Sequence, residues 1–264
     1  MSPERPPLHF RDVGEGTPIV LVHGDFANGE IAWASQLSSL ADSVRLIVPD
    51  RRGHGASPID PHPYTIASDV ADCLDVADRA GVEQFHLVGH SYGGLVALDV
   101  ARRSPRRVLS LHLVEPPYLG LLPDDLDVRR LNDDAGDLWR QAQTLGPEET
   151  TAAFFGLLAG PIGLARLRQN AAWPTLVAEG QRFGGSEFPG DYPTDWLRTW
   201  HPDWPVVIYT GGRSHSALRR IAKHLADTIP GARLVDVPEA FHDVQRARES
   251  FNRALLQTIG DSNS

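Results

Sequence analysis

The stretch VGHSYGG, residues 88 to 94, sets Ser91 between Gly89 and Gly93, directly after an apolar run and directly before a helical pattern. G-x-S-x-G in that context is a tight strand-to-helix turn that exposes a serine hydroxyl. The helix behind it supplies N–H groups and a dipole that favour a developing anion. Such a serine can attack a carbonyl carbon. Its hydroxyl is weak at its free pKa, so it needs a base within hydrogen-bond reach, and the base needs an acid that fixes its tautomer. Eleven histidines are available. One carboxylate stands out: Glu115, in LHLVEPPYLG (111–120), closes an apolar run just before two prolines. Burying an unpaired carboxylate is costly, so its place there calls for a partner.

Short runs rich in Val, Ile and Leu could position these residues: PIVLVHG (18–24), VRLIVPD (44–50), QFHLVGH (84–90), VLSLHLVEP (108–116), PVVIYTG (205–211) and ARLVDVP (232–238). Amphipathic stretches such as 66–81, 95–105 and 217–231 separate them. Near-continuous apolar strands alternating with helices predict an α/β architecture, a mostly parallel sheet flanked by helices on both faces. From Tyr118 to about Asp203 the rhythm breaks into helical fragments, acidic clusters and the loop FGGSEFPGDYPTDW, and four of the six tryptophans fall there. An insertion after a strand's C-terminal end sits on the edge where α/β proteins bind ligands, so it reads as a lid. The expected organisation is a core of 1–117 and 204–264 with a helical lid or cap of 118–203. The final DSNS reads as disordered.

Composition narrows the function. A formal net charge of -9 argues against nucleic acid as a partner. The single cysteine, Cys73, cannot pair within the chain, which favours a reducing, cytoplasmic location and a core-filling role. The first residues show no apolar segment of signal-peptide length, and no run approaches the roughly 20 apolar residues of a membrane span. No H-E-x-x-H and no paired cysteines suggest a metal, so no metal and no cofactor are expected.

Four short motifs in order carry a resemblance. LVHGDFANG (21–29), PDRRGHGAS (49–57), GHSYGG (89–94) and PEAFHD (238–243) are similar to the His-Gly loop, second signature turn, nucleophile elbow and histidine loop of the α/β-hydrolase superfamily. The resemblance implies the α/β-hydrolase fold, with the lid inserted after the sixth strand. It implies His242 as the base, with His201 and His215 less easily dismissed than the other histidines. In most relatives the acid lies after the strand PVVIYTG, yet no Asp or Glu occurs between Asp203 and Asp227. Some relatives place it one strand earlier, where Glu115 stands, so the implied order is Ser91, Glu115, His242. Glu115 capping the lid or pairing with an arginine is the other reading. The implied oxyanion donors are the backbone N–H groups of Tyr92 and Asp25, with Phe26 the near alternative. Asp25 departs from many relatives, which carry an apolar residue there.

The resemblance implies a serine hydrolase that cleaves a carboxylic ester or lactone through an acyl-enzyme. Ser91 in place of Asp speaks against the dehalogenase and epoxide-hydrolase branches. The spacing from Ser91 to Glu115 is similar to that of fungal lactonases that open the resorcylic lactone zearalenone. Phe26, Phe154, Phe155, Trp173 and Phe183 are the candidates to grip an apolar small-molecule substrate, or else they form the lid's own core. Perhydrolysis, carbon–carbon cleavage, cyclisation and a ligand-binding receptor on the same scaffold are the alternatives, and a homodimer is left open.

Overall fold

The computed structural model describes residues 5–59 and 64–262. Seven strands form one sheet: β1 (Phe10–Val13), β2 (Pro18–Val22), β3 (Arg45–Pro49), β4 (Phe85–His90), β5 (Val108–Val114), β6 (Val206–Gly211) and β7 (Arg233–Val237). Their order across the sheet is β1-β3-β2-β4-β5-β6-β7. All neighbours are parallel except β1, which runs antiparallel to β3. The six apolar runs correspond to β2 through β7. FRDV, which makes β1, sets two charged residues between Phe10 and Val13, is half-buried except at the exposed Asp12, and is too short and too charged to stand out as a run.

Side chains along each strand point alternately to two cores, as the pleat requires. Ile19 and Leu21 of β2 pack with Trp33, Leu40, Phe251 and Leu255. Val20 and Val22 pack on the other face, with Val70, Val76, Leu95 and Leu98. Two short helices, α1 (Gly29–Ala32) and α2 (Ala34–Ser39), and the C-terminal α9 (Arg248–Ser262) cover the first face. Helices α3 (Ile66–Arg79), α4 (Tyr92–Arg103) and α8 (Ser216–Thr228) cover the second. Full burial of each such aliphatic side chain stabilises by roughly 1.5–3 kcal/mol, which explains why strands covered on both faces read as unbroken apolar runs.

Between β5 and β6 the regular elements are helical: α5 (Leu126–Gln141), α6 (Pro147–Arg168), α7 (Trp173–Glu179) and short 3-10 turns. This insertion follows the fifth strand of the described sheet, not the sixth, since one strand fewer precedes it than the resemblance implied. One helix among the described residues, α6, has the length and the mean hydropathy of a membrane span. Its backbone leaves helical geometry at Gly160 (φ 66°, ψ 178°), just before Pro161. The unbroken part, 147–159, is well short of the roughly 20 residues a span requires. The C-terminal tail is also more regular than expected: α9 includes Asp261 and Ser262, while 263 and 264 lie outside the described residues.

Candidate active site

Ser91 occupies the single-residue turn between β4 and α4, with φ 52° and ψ -126°. Its N–H donates to the Val114 carbonyl at 2.9 Å, and its own carbonyl accepts from the Gly94 N–H at 2.7 Å. The turn closes because Gly93 lacks a side chain: a Cβ there would lie 2.4 Å from the carbonyl oxygens of both Val22 and His23. Gly93→Ala should therefore cost at least about 3 kcal/mol, or roughly 6–12 °C in Tm, because backbone rather than a flexible side chain must move. A thermal melt checks this, and an unchanged Tm would show that β2 and α4 can separate without penalty.

Glu115 follows β5 and is fully buried. Its Oε1 accepts from the Gly211 N–H at 2.8 Å and the Thr210 hydroxyl at 2.9 Å. Its Oε2 accepts from the Ser214 hydroxyl and from His242 Nδ1, each at 2.8 Å. Four donors thus converge on one carboxylate, which offsets the cost of burying it. Ser214 lies in the loop where most relatives were expected to carry their acid, and here its hydroxyl helps to hold the carboxylate that follows β5. Burial alone would lower the pKa of His242, but the hydrogen bond and charge of Glu115, with the charge of Asp243, outweigh it and raise the pKa above its ordinary value. With Nδ1 directed at Glu115, the other ring nitrogen is left to act as an acceptor. His242 and Ser91 line the same cavity, with no hydrogen bond between them.

The other candidate bases are elsewhere. His201 is exposed and donates to the Thr199 carbonyl at 3.0 Å, while His215 caps α8 by accepting from the Ala217 N–H at 3.2 Å. His90 packs against His242 with ring centroids 4.8 Å apart, and burial pushes its pKa down to about 3, so it is neutral near pH 7.

The loop after β2 runs close to the elbow because Gly24 has no side chain; a Cβ there would lie 2.7 Å from Ser91 Cβ. The backbone N–H groups of Asp25, Phe26 and Tyr92 donate to no protein acceptor among the described residues. His23 holds the loop. Its Nδ1 donates to the Gly24 carbonyl at 2.7 Å and its Nε2 accepts from the Arg51 N–H at 2.8 Å. The bond accepted by Nε2 requires a neutral ring, and burial, reinforced by the nearby His54 and Arg51, keeps its pKa well below the ordinary value. The Arg51 guanidinium is buried, bonds Asp25 at 3.0 Å and Asp69 at 3.3 Å, and lies 4.3 Å from the centre of the Tyr92 ring.

The cavity in front of Ser91 is otherwise apolar. Leu131, Ala135 and Trp139 of α5 line it at four-residue spacing, with Phe154, Phe183, Phe188, Leu119 and Leu218. Of the five aromatic candidates, Phe154 and Phe183 face the cavity. Phe26 stacks behind Phe154 at 4.3 Å, Phe155 meets Phe26 at 5.5 Å, and Trp173 packs beyond Phe155 with its Nε1 donating to Glu148 at 2.9 Å. Those three do not line the cavity: Phe155 and Trp173 pack within the insertion, and Phe26, from the loop after β2, packs against it. Trp139, Phe188 and Leu119 were not singled out from sequence, because their roles depend on how α5 and the 3-10 turns fold back. The insertion is fastened to the core by Glu179 at the end of α7, whose carboxylate accepts from Asn28 Nδ2 at 2.8 Å and meets His54 Nδ1 at 3.2 Å and the Gly55 N–H at 3.2 Å. Among the described residues, no group of three or more His, Cys, Asp or Glu could hold a metal ion.

Residues 17–246 match the family model described as "alpha/beta hydrolase fold", and the chain belongs to that family. Several relatives are named "Putative carbamate hydrolase RutD". The one from Azorhizobium caulinodans is 37% identical over 107 residues, a match that covers 40% of each chain. The one from Klebsiella pneumoniae is 26% identical over 236 residues, 86% of this chain and 85% of that one. A thermophilic esterase from Thermogutta terrifontis is similar in structure, with a TM-score of 0.74 at 25% identity over 97% of this chain and 94% of the esterase.

Proposed function

We propose that the chain is a serine hydrolase that cleaves a carboxylic ester or lactone through an acyl-enzyme. The observation that carries this reading is the buried Glu115 carboxylate 2.8 Å from His242 Nδ1, with His242 and Ser91 lining one cavity. Ser91 Oγ attacks the carbonyl carbon while His242 takes its proton. Glu115 keeps the ring in the tautomer whose second nitrogen accepts, and stabilises the imidazolium that results. The tetrahedral oxyanion receives hydrogen bonds from the Tyr92 N–H and from Asp25 or Phe26. His242 then gives its proton to the leaving alkoxide, the carbon–oxygen bond breaks, and an acyl-Ser91 ester remains. Water attacks this ester with His242 again as base, returning Ser91 and the free acid. The segment 118–203 acts as the lid, and its Trp139, Phe154 and Phe183 enclose an apolar substrate. The esterase similarity and the relatives named for carbamate hydrolysis support attack on a carbonyl. The apolar wall favours an ester or lactone.

The test is covalent labelling of Ser91 by a fluorophosphonate, located by peptide mapping and followed by an ester and lactone panel. Labelling at Ser91 that is lost in Ser91→Ala, with turnover of at least one panel member, is the expected result. A folded protein that the probe leaves untouched would refute an activated Ser91, and a labelled protein that turns over no ester or lactone would refute this substrate class.

A further inference from the structure

Apart from Ser91 and His242, Asp25 carries the one charged side chain among the described residues that line the cavity. Its Oδ1 accepts from Arg51 Nη1 at 3.0 Å, while Oδ2 accepts no hydrogen bond, and the side chain is 12% exposed. Arg51 also pairs with Asp69, whose side chain is 4% exposed. Two carboxylates therefore share one guanidinium, and Asp25 is the one that the cavity reaches. For an unsubstituted acyl chain, that position opposes catalysis: a carboxylate near a forming oxyanion repels it, and its unbonded oxygen loses water on substrate binding without gaining a partner.

We infer that Asp25 sets specificity for acyl groups bearing a hydrogen-bond donor, a hydroxyl or an ammonium, one or two carbons from the scissile carbonyl. The donor bonds Oδ2, and the rest of the substrate fills the apolar wall. This inference rests on the ester-hydrolase reading above only for the direction of the acyl chain; the donor preference itself is a property of binding.

The experiment compares phenethyl butyrate, phenethyl 3-hydroxybutyrate and phenethyl 3-aminobutyrate on the wild type and on Asp25→Asn. The variant keeps the acceptor that Arg51 uses and turns the unbonded oxygen into an N–H donor. The wild type should prefer one or both donor-bearing esters over the butyrate by about tenfold or more in kcat/KM, with the hydroxy and amino esters separating a neutral from a cationic donor. In Asp25→Asn that preference should vanish or invert. Because each preference is a ratio within one protein, a general loss of activity from a disturbed loop cancels. Equal use of the three esters by the wild type, or the same ratios in Asp25→Asn, overturns the inference. If none is hydrolysed, binding of the same esters to Ser91→Ala, with and without Asp25→Asn, is measured by calorimetry. An Asp25-dependent donor preference there upholds the inference while the hydrolase reading fails, and its absence overturns the inference.

Discussion

Glu115→Gln is expected to slow phosphonylation of Ser91 by a fluorophosphonate by about 10³- to 10⁴-fold while leaving the near-ultraviolet circular dichroism unchanged. The size follows from the donors around the group. In the variant, the amide oxygen takes the place facing Gly211 N–H and the Thr210 hydroxyl, so the amide nitrogen faces Ser214 and His242 Nδ1. Ser214 can rotate its hydroxyl and accept. His242 can accept only by moving its proton to the other nitrogen, which is the one that must receive the proton from Ser91. The base is then present but in the wrong tautomer, and no carboxylate stabilises its charged form. Ser214→Ala leaves the carboxylate and three of its four donors in place, and its loss should be smaller by orders of magnitude. A labelling rate for Glu115→Gln within tenfold of the wild type would remove Glu115 from the orienting role.

The second large effect is on folding. Four buried histidines are held neutral: burial pushes His90 and His112 down to about 3 and His86 to about 4, and it keeps His23 well below its ordinary value. In the unfolded chain each titrates near 6.5. Below that pH the unfolded state binds protons that the folded state refuses, so stability falls as the pH falls, by about 1.4 kcal/mol per unit for each group. Four together give a slope of about 5 kcal/mol per pH unit. His242 works in the opposite sense: its raised folded pKa contributes stability below 6.5 that is lost as the pH rises through the folded value, but it is one group against four. Against a total stability of roughly 5–15 kcal/mol, acid unfolding is expected between about pH 4 and 5. Urea unfolding at stepped pH measures the slope. His112→Gln, which cuts the chain His86–Ser110–His112–Tyr209, should reduce it by about a quarter. A flat unfolding free energy from pH 7 to 5 would mean that these rings are not held neutral.

What the sequence shows of the fold depends on how each residue meets solvent. Strands β2 to β6 are almost wholly buried, so their composition announces them, whereas β1 is short, half of it charged, and pairs antiparallel at an edge. G-x-S-x-G is legible because the turn tolerates little else: Gly93 has backbone on two sides. Glu115 stood out as a carboxylate ending an apolar run, and the structure places it against His242, 127 residues away in sequence. The Thr210 and Ser214 hydroxyls that complete its surroundings carry no local signal, since either residue type is ordinary at a strand end. The cavity wall is the least legible part. Phe154 faces the cavity and its neighbour Phe155 does not, a difference decided by the rotation of α6 over the Phe26 ring.

Three non-glycine residues among the described ones have positive φ: Phe26 at 57°, Ser91 at 52° and Glu115 at 44°. They come from three different connections and meet at one place. Each conformation costs an L-residue on the order of 1–3 kcal/mol that glycine would avoid. At Phe26 the buried ring, stacked on Phe154, offsets that cost. Were the sequence chosen only to fold, glycine would be the better residue at the other two. The backbone therefore marks Ser91 and Glu115 as positions where selection has accepted a less stable protein for the sake of particular side chains. That inference needs no assignment of roles to the serine or the glutamate.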